Sequence, residues 1–529
     1  MMTFENKKLC FFFVLIFFLL SGRLAYLTLI KGSDYRARAD QNRLLSLETA
    51  APRGIIYDRN HRSLAINVPR YQKEDKVISR DEFLSCLARG EDKNVSLSYA
   101  RQYPLEEAAA HVLGYLGPVT SAELEKGYGS NDMVGRGGVE EFYDHLLRGQ
   151  AGKRVIEVDT KGRFLREVER IAPIAGHDLY LNLDASLQKK AADLIFPAPG
   201  AVVVSDPRSG AVLAMVSSPS FDPNLFTFNR REEEIASLLK NPLQPFLNRA
   251  ISARYPPGST FKMVTAIAGL EEGKIEEDTK IEDVGILRVG EFEYANWLFT
   301  KYGRTDGEVD VVKAIKRSND IYFYKVGEFL GATLLSSWAE KFGLGKKTGI
   351  DLPAEVGGVV PSPSWKEEVK GEPWFLGDTY HLAIGQGDLA VTPLAVNMVT
   401  NVIANDGWWC PPRVVKDKSE ENRCRFLDIK EENIRLVRQG MREACLPGGT
   451  GTPFFNFRLR GKEGMVACKT GTAEFGIKKE KTHAWFTAFA PWDKPEVSVT
   501  VFLEGGGEGS GRAAVIAKEI LESYFMDND

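Results

Sequence analysis

The stretch Tyr255-Pro-Pro-Gly-Ser-Thr-Phe-Lys262, which runs directly into the apolar segment MVTAIAGL, decides the fold. It places a serine and a lysine three residues apart, and such a pair shares one face of a helix. The Lys262 amine can therefore reach the Ser259 hydroxyl and take its proton without any histidine. The Pro-Pro-Gly triplet breaks regular structure, and the following residues are apolar almost all round, which predicts a buried helix. Ser259 then lies at a helix start, where unpaired N–H groups favour a developing anion.

Two other S-x-x-K matches are present, Ser186 with Lys189 and Ser237 with Lys240. Neither follows a breaker triplet or opens a continuous apolar segment. We interpret both as ordinary surface helix or turn residues, because S-x-x-K alone is a short and common pattern.

Two further motifs lie downstream of Ser259. They are Ser318-Asn319-Asp320 and Lys469-Thr470-Gly471-Thr472. A second K-T-G, Lys347-Thr348-Gly349, lies between glycines and is typical of a loop. Lys469 instead follows the apolar run Met465 to Cys468, which predicts a strand.

The ordered set S-x-x-K, S-x-D and K-T-G-T resembles the penicilloyl serine transferases. Further segments resemble class B penicillin-binding proteins, and more closely the type that builds the lateral cell wall. They are APRGIIYDRN (51–60), AAHVLGYLG (109–117), GRGGVEEFYDHLLRGQAG (135–152), GAVVVSDPRSGAVLAMVSSPSFDPN (200–224), AIGQGDLAVTPL (383–394) and HAWFTAFAP (483–491). The resemblance implies a serine D,D-transpeptidase that cross-links peptidoglycan stem peptides during elongation, maintains cell shape and is inhibited by β-lactams. A carboxypeptidase side activity is compatible with the same chemistry.

The resemblance also implies a role for each catalytic residue. Ser259 is the expected nucleophile and Lys262 its base, which must be neutral to accept a proton. Burial and the cation of Lys469 are expected to lower the pKa of Lys262. Ser318 is expected to relay a proton to the leaving amine. Asp320 stands where many relatives have asparagine. We favour a direct contact of Asp320 with Lys262 over one with Ser318 or the substrate. In such a contact the charge of Asp320 would oppose deprotonation of Lys262.

The third motif is expected to bind the substrate. Lys469, Thr470, Gly471 and Thr472 would hold the terminal carboxylate of a D-alanyl-D-alanine peptide or of a β-lactam. The backbone N–H groups of Ser259 and Thr472 would form the oxyanion hole.

Composition excludes some functions and cofactors. The chain has 529 residues and a net charge of −4, with a pI of about 6.1, so no basic surface indicates nucleic acid binding. Some relatives bind zinc through Asp, His and Cys between the first two motifs. The interval Lys262 to Ser318 has neither His nor Cys, so we predict no metal, and nothing indicates another cofactor. Cys410, Cys424 and Cys445 are close enough in sequence for one pair to bridge, but we expect free buried thiols.

Residues 9–30 predict one transmembrane helix after a cytoplasmic tail, residues 1–8. A cleaved signal sequence is the competing interpretation, disfavoured because no small-x-small cleavage site follows. Lysines and arginines flank the segment on both sides and hardly decide its orientation. The expected location of the substrate instead places the catalytic domain on the periplasmic side of the cytoplasmic (inner) membrane.

Beyond the anchor we expect two domains: a non-catalytic pedestal of the dimerisation type, residues 31–175, and a transpeptidase domain, residues 176–529. A hairpin that turns at 206–210, late strands and a C-terminal helix over 511–525 predict an α+β fold. The resemblance implies an antiparallel sheet flanked by helices, as in serine β-lactamases and D,D-peptidases, with the active site beside an edge strand.

Three alternatives remain. A septal relative is disfavoured because that type more often has Glu in place of Pro256 and Asn in place of Asp320. A serine β-lactamase or β-lactam sensor needs no large pedestal, and no residue is designated to activate a deacylating water. A non-catalytic scaffold is disfavoured by three intact motifs. Since no glycosyltransferase domain fits before residue 175, analogy suggests a polytopic polymerase of the shape, elongation, division and sporulation family as partner, with other elongation proteins.

Overall fold

The computed structural model describes residues 4–49, 51–73, 76–89, 95–126, 128–129, 132–159, 163–227, 231–416, 424–459, 461–475 and 481–526. Its first helices are α1 (Phe4–Ala25), α2 (Gly32–Arg43), α3 (Arg80–Ala88), α4 (Ala110–Leu113), α5 (Ser121–Leu124), α6 (Gly138–Phe142) and α7 (Asp144–Leu147). The strands in this part are β1 (Leu44–Thr49), β2 (Ile56–Tyr57), β3 (Ser63–Lys73), β4 (Lys76–Ile78), β5 (Val95–Gln102), β6 (Tyr115–Pro118), β7 (Met133–Arg136), β8 (Gly152–Val158), β9 (Phe164–Ile171) and β10 (Leu179–Tyr180).

The later helices are α8 (Ala185–Ile195), α9 (Glu232–Lys240), α10 (Lys262–Glu271), α11 (Trp297–Tyr302), α12 (Val311–Arg317), α13 (Asp320–Lys341), α14 (Pro363–Lys370), α15 (Leu376–Ala383), α16 (Pro393–Ala404), α17 (Glu431–Ala444) and α18 (Arg512–Met526). The strands in this part are β11 (Gly200–Ser205), β12 (Val212–Ser218), β13 (Ile281–Asp283), β14 (Ile286–Val289), β15 (Phe292–Ala295), β16 (Gly307–Val309), β17 (Trp408–Trp409), β18 (Arg425–Phe426), β19 (Arg458–Leu459), β20 (Lys462–Glu463), β21 (Ala467–Phe475), β22 (Lys481–Ala490) and β23 (Val497–Leu503).

The chain divides into two compact units, each built from three stretches. One comprises Met1–Arg53, Pro69–Tyr99 and Arg148–His177, and the other Gly54–Val68, Ala100–Leu147 and Asp178–Asp529. The last change of unit lies beside the expected boundary near residue 175. Two stretches that the sequence assigns to the pedestal, Gly54–Val68 and Ala100–Leu147, nevertheless belong to the second unit, which contains the three motifs. In this unit the Asn224 amide exchanges two hydrogen bonds with the backbone of Tyr103. Such long-range contacts leave no mark on local composition.

The first unit contains an antiparallel sheet and the apolar N-terminal helix. The sheet has the order β1-β8-β9, with Leu44 opposite Glu157 and Lys153 opposite Ile171. Helix α1 continues into one π-helical turn, and residues Asn6–Ile30 form a segment of mean hydropathy 2.2 that is long and apolar enough to cross a membrane. This segment contains the predicted span, residues 9–30. Residues 1–3 of the predicted tail lie outside the described residues.

The second unit is organised around a five-stranded antiparallel sheet of order β12-β11-β23-β22-β21. The predicted hairpin that turns at 206–210 forms β11 and β12, and Gly200 lies opposite both Ser218 and Leu503. Strand β21 carries the K-T-G-T motif. Among the described strands it pairs with β22 alone, at the edge of the sheet. The predicted α+β fold is confirmed.

Helices cover both faces of this sheet because its strands alternate apolar side chains between two cores. Trp485 and Phe489 of β22 pack into a core with α10, α13 and α16. Phe486 and Ala488 of the same strand pack against α8 and α18. Every residue of α10 from Lys262 to Leu270 is buried, as the apolar sequence predicts.

The expectation of free thiols is wrong for all three cysteines that it concerned, Cys410, Cys424 and Cys445. Cys410 is bonded to Cys424, and Cys445 at the end of α17 is bonded to Cys468 in β21. Proximity along the sequence could not identify the second pair, because helix α17 and strand β21 meet only in the folded domain. Cys10 is free and exposed, and Cys86 is free and buried.

Candidate active site

Ser259 lies on a short 3₁₀ turn, Gly258–Phe261, and Lys262 is the first residue of α10, which follows this turn directly. Side chains at i and i+3 eclipse in a 3₁₀ helix, so Ser259 and Lys262 project from the same side. Gly258 has a φ of 55°, and a Cβ there would lie 2.7 Å from the Thr472 carbonyl oxygen. Glycine therefore lets this turn approach strand β21 closely.

Lys262 is fully buried, and its amine is held by the second motif. Its Nζ donates to the Ser318 carbonyl oxygen at 2.8 Å and lies 3.4 Å from the Ser318 hydroxyl. Asp320 Oδ1 is 2.6 Å away. Among the described residues no hydrogen bond joins this amine to the Ser259 hydroxyl, so the contact that we expected between base and nucleophile is not made here.

The direct contact between Asp320 and Lys262 that we expected is therefore present. The second carboxylate oxygen, Oδ2, accepts a hydrogen bond from the backbone N–H of Trp297 at 3.0 Å. Burial lowers the pKa of Lys262 from its usual value, and Asp320 opposes this shift.

Ser318 links the two lysines of the site. It ends helix α12 with a left-handed backbone, φ 54° and ψ 40°. Its hydroxyl oxygen accepts a hydrogen bond from Lys469 Nζ at 2.8 Å, and Lys262 Nζ approaches the same oxygen. One hydroxyl thus lies between two buried amines.

Lys469 on strand β21 is fully buried and also donates to its neighbour, the Thr470 carbonyl oxygen, at 2.9 Å. Burial and the positive charge of Lys262 hold the pKa of Lys469 well below its usual value, and Asp320 acts in the opposite direction. We had expected Lys469 to depress the pKa of Lys262. Because Asp320 bonds directly to Lys262, Lys262 keeps its proton more readily than Lys469 does. Repulsion from the Lys262 cation then lowers the pKa of Lys469.

The remaining residues of the third motif line the same edge. The Thr470 hydroxyl donates to the Thr450 hydroxyl at 2.8 Å. A Cβ at Gly471 would lie 2.9 Å from Thr260, so this position also needs a small residue. The Thr472 hydroxyl accepts the Gly509 N–H at 3.4 Å.

The other motif matches are placed elsewhere. The Ser186 hydroxyl accepts a hydrogen bond from Arg62, and Lys189 pairs with Asp193. Ser237 and Lys240 are exposed on α9. Lys347 is exposed in a loop, as predicted.

The structure brings Ser318, Asp320 and Lys469 to Lys262, and the turn of Ser259 to the K-T-G-T strand. The sequence did not reveal the contributions of Thr450 and Trp297. Thr450 lies in a Gly-Thr-Gly stretch, which is a weak signal for a loop close to a strand. Within the described ranges no group of three or more His, Cys, Asp or Glu side chains could hold a metal ion, and the absence of a metal stays a prediction.

Comparison with known proteins identifies the family to which the chain is similar. The penicillin-binding protein transpeptidase domain matches residues 200–522, and the penicillin-binding protein dimerisation domain matches residues 92–181. The peptidoglycan D,D-transpeptidase MrdA of Escherichia coli K12 is 32% identical, over 96% of this chain and 92% of its own length.

Two solved structures are similar throughout. A complex of penicillin-binding protein 2 and MreC from Helicobacter pylori has a TM-score of 0.80 at 29% identity, covering 92% of this chain and 100% of the other. A chain from a structure on the coordination of polymerization and crosslinking by a peptidoglycan synthase complex has a TM-score of 0.80 at 29% identity, covering 99% of both chains. The chain belongs to the penicillin-binding protein transpeptidases of the penicillin-binding protein 2 type.

Proposed function

We propose that Ser259 is the nucleophile through which this chain, a peptidoglycan D,D-transpeptidase of the elongation type, cross-links stem peptides. The observation that carries the proposal is the convergence of Lys262 and Lys469 on the hydroxyl of Ser318. That convergence joins all three motifs into one site, and the other S-x-x-K and K-T-G matches lie outside it.

Acylation begins when neutral Lys262 takes the proton of the Ser259 hydroxyl. The serine oxygen bonds to the carbonyl carbon of the penultimate D-alanine, and the carbonyl oxygen becomes an anion. The N–H groups of Ser259 and Thr472 stabilise that anion. The C–N bond then breaks, and Ser318 passes the proton from Lys262 to the departing D-alanine amine. An acceptor amine then attacks the acyl carbon, the bond between that carbon and the serine oxygen breaks, and the proton lost by the amine returns through Lys262 to the Ser259 oxygen.

Substrate binding can itself prepare the base. Lys469 has a strongly lowered pKa, whereas Lys262 bonds to Asp320, so the resting proton is favoured on Lys262. A substrate carboxylate bound by Lys469, Thr470 and Thr472 favours the Lys469 cation. A proton then moves from Lys262 through the hydroxyl of Ser318 to Lys469, and Lys262 becomes neutral when substrate is present.

The same residues serve inhibition by β-lactams. A β-lactam carries a carboxylate for Lys469 and an amide carbonyl for Ser259, and its opened ring stays attached after acylation. The septal, β-lactamase and scaffold alternatives gain no support from a site with all three motifs assembled or from relatives named MrdA.

The chain is a single-pass membrane-anchored protein. We place residues 1–8 in the cytoplasm, the anchor at 9–30, a pedestal at 31–175 and the catalytic domain at 176–529, with the last two in the periplasm. Within the pedestal range, residues 54–68 and 100–147 form one compact unit with the catalytic domain. It works with elongation-complex proteins, as the complex of the H. pylori protein with MreC indicates. Because a peptidoglycan synthase complex is also among the similar structures, we further propose a polytopic glycan polymerase of the shape, elongation, division and sporulation family as partner.

The test is covalent labelling of membranes with a fluorescent penicillin. We expect Ser259→Ala to lose the label, while Ser186→Ala and Ser237→Ala keep it. Label retained by Ser259→Ala would exclude this serine as nucleophile. Depletion of the protein should give round cells, and filaments would favour the septal alternative.

A further inference from the structure

A buried carboxylate outside the three motifs organises the wall that carries the second motif. Asp283, at the end of β13, is 2% exposed. It accepts four hydrogen bonds: from the backbone N–H of Gly285 (2.9 Å), Asn296 Nδ2 (2.7 Å), Asn319 Nδ2 (2.9 Å) and the backbone N–H of Asp306 (2.9 Å). A carboxylate is buried at low cost only when such donors replace water.

Two of these donors connect Asp283 to the lysine base. Asn296 is fully buried, and its Oδ1 accepts the backbone N–H of Asp320 at 3.2 Å. The next residue, Trp297, donates its backbone N–H to Asp320 Oδ2. Asp283 therefore fixes the Asn296–Trp297 segment, which bonds to both the backbone N–H and the carboxylate of Asp320.

The second connection runs through the middle residue of the motif. Asn319 donates to Asp283, while its Oδ1 accepts the backbone N–H of Tyr322 at 2.9 Å and so caps helix α13. Ser318 and Asp320 flank this asparagine. Asp283 thus contacts this loop through Asn319 as well as through Asn296, and Asp306 Oδ2 also accepts from Asn319 Nδ2 at 3.1 Å.

We propose that Asp283 and Asn296 are positioning residues for acyl transfer, which keep the Ser318–Asp320 loop in place so that Asp320 stays bonded to Lys262. This inference rests on the proposed function of Ser259 and Lys262. Neither residue touches the reacting atoms, and both act through Asp320.

Loosening the loop should change both the rate and the pH dependence of acylation. The charged groups near Asp320 are Lys262, Lys469 and, when ionised, the buried phenol of Tyr324. Near Asp283 they are Asp306 and Arg317, which pair with each other at 3.0 Å. Burial lowers the pKa of Lys262 and Asp320 raises it. A weaker contact with Asp320 therefore lowers that pKa further, and Lys262 loses its proton at lower pH. The base is then neutral more often but less well placed.

The experiment compares Asp283→Asn with Asp278→Asn, the same chemical change at an exposed position of the same segment. The acylation rate constant with a fluorescent penicillin is measured against pH, together with the melting temperature. We expect Asp283→Asn to lose about 10- to 100-fold in rate, because groups that relied on its charge are left unpaired or misplaced. Its acidic limb should move to lower pH, and Asp278→Asn should match the parent protein.

Asn296→Ala is the second variant, in case Asp283→Asn does not fold. It leaves the other three donors to Asp283 in place and should show the same shift of the acidic limb. A folded variant with the parent rate and limb overturns the proposal, and so does a lower rate with an unshifted limb, which indicates a structural role only. Ser259→Ala separates a failure of the proposed function from a failure of this inference. If Ser259→Ala retains the label, both the nucleophile and the positioning role are overturned. If Ser259→Ala loses the label but Asp283→Asn acylates like the parent protein, only the positioning role is overturned.

Discussion

Two S-x-x-K segments of this chain have the same spacing and opposite environments. Lys262 is fully buried, and its carboxylate partner, Asp320, comes from 58 residues further along the chain. Lys189 has a side chain 57% exposed and pairs with Asp193, one helical turn away. The pKa of Lys262 is lowered by burial, whereas the hydrogen bond with Asp193 raises that of Lys189.

The serines differ in the same way. Ser259 lies on the 3₁₀ turn against strand β21, next to the left-handed Gly258. Ser186 lies in the first turn of α8, where its hydroxyl accepts a hydrogen bond from Arg62 at 2.6 Å. The S-x-x-K spacing alone thus only brings a serine and a lysine close together. Burial beside residues from distant parts of the chain lowers the pKa of Lys262, as a base requires.

The largest expected effect comes from removing each lysine in turn. Lys262→Met should lower the acylation rate by about 10³-fold, because a positioned general base contributes on that order. Lys189→Met should leave the rate unchanged. Both variants are measured with a fluorescent penicillin at saturating and limiting concentrations. Equal losses in the two variants would remove the distinction between the segments.

Much of this contrast can be predicted from the sequence. The Pro-Pro-Gly triplet and the apolar run after Lys262 indicate a buried helix, and the apolar run Met465 to Cys468 before Lys469 indicates a strand. The bond between Asp283 and Asn296 cannot be predicted in this way, because both residues look like ordinary loop positions until β13 and α11 come together. The same holds for Cys445 and Cys468.

A second comparison extends the first to the two K-T-G segments. Lys469→Ala should lower the acylation rate by about 10²-fold, because it removes the buried amine proposed to bind the carboxylate. Lys347→Ala, at an exposed loop position, should acylate normally. The measurement is the second-order rate constant for penicillin binding. A comparable loss in Lys347→Ala would mean that the loop, rather than β21, binds the carboxylate.

Asp320→Asn sharpens the comparison at the level of charge. The base works only when Lys262 is neutral, so the rate rises as pH increases through its pKa. Asp320 favours the cation and raises that pKa, and its neutralisation should move the acidic limb to lower pH. An unmoved limb would show that the 2.6 Å contact does not control the base.

The smallest expected effect is on stability at the exposed pair. Lys189→Ala removes an i,i+4 ion pair whose two side chains are each more than half exposed, at 57% and 56%. Such pairs contribute about 0.5 kcal/mol or less, because water and salt screen the charges and both side chains must be ordered. The substitution also replaces lysine by a better helix former, which offsets part of that loss. We therefore expect a change of less than about 0.5 kcal/mol in the free energy of unfolding, measured with denaturant, and normal penicillin labelling. A much larger loss would mean that Lys189 is held by its surroundings as Lys262 is, and that exposure does not separate the two lysines.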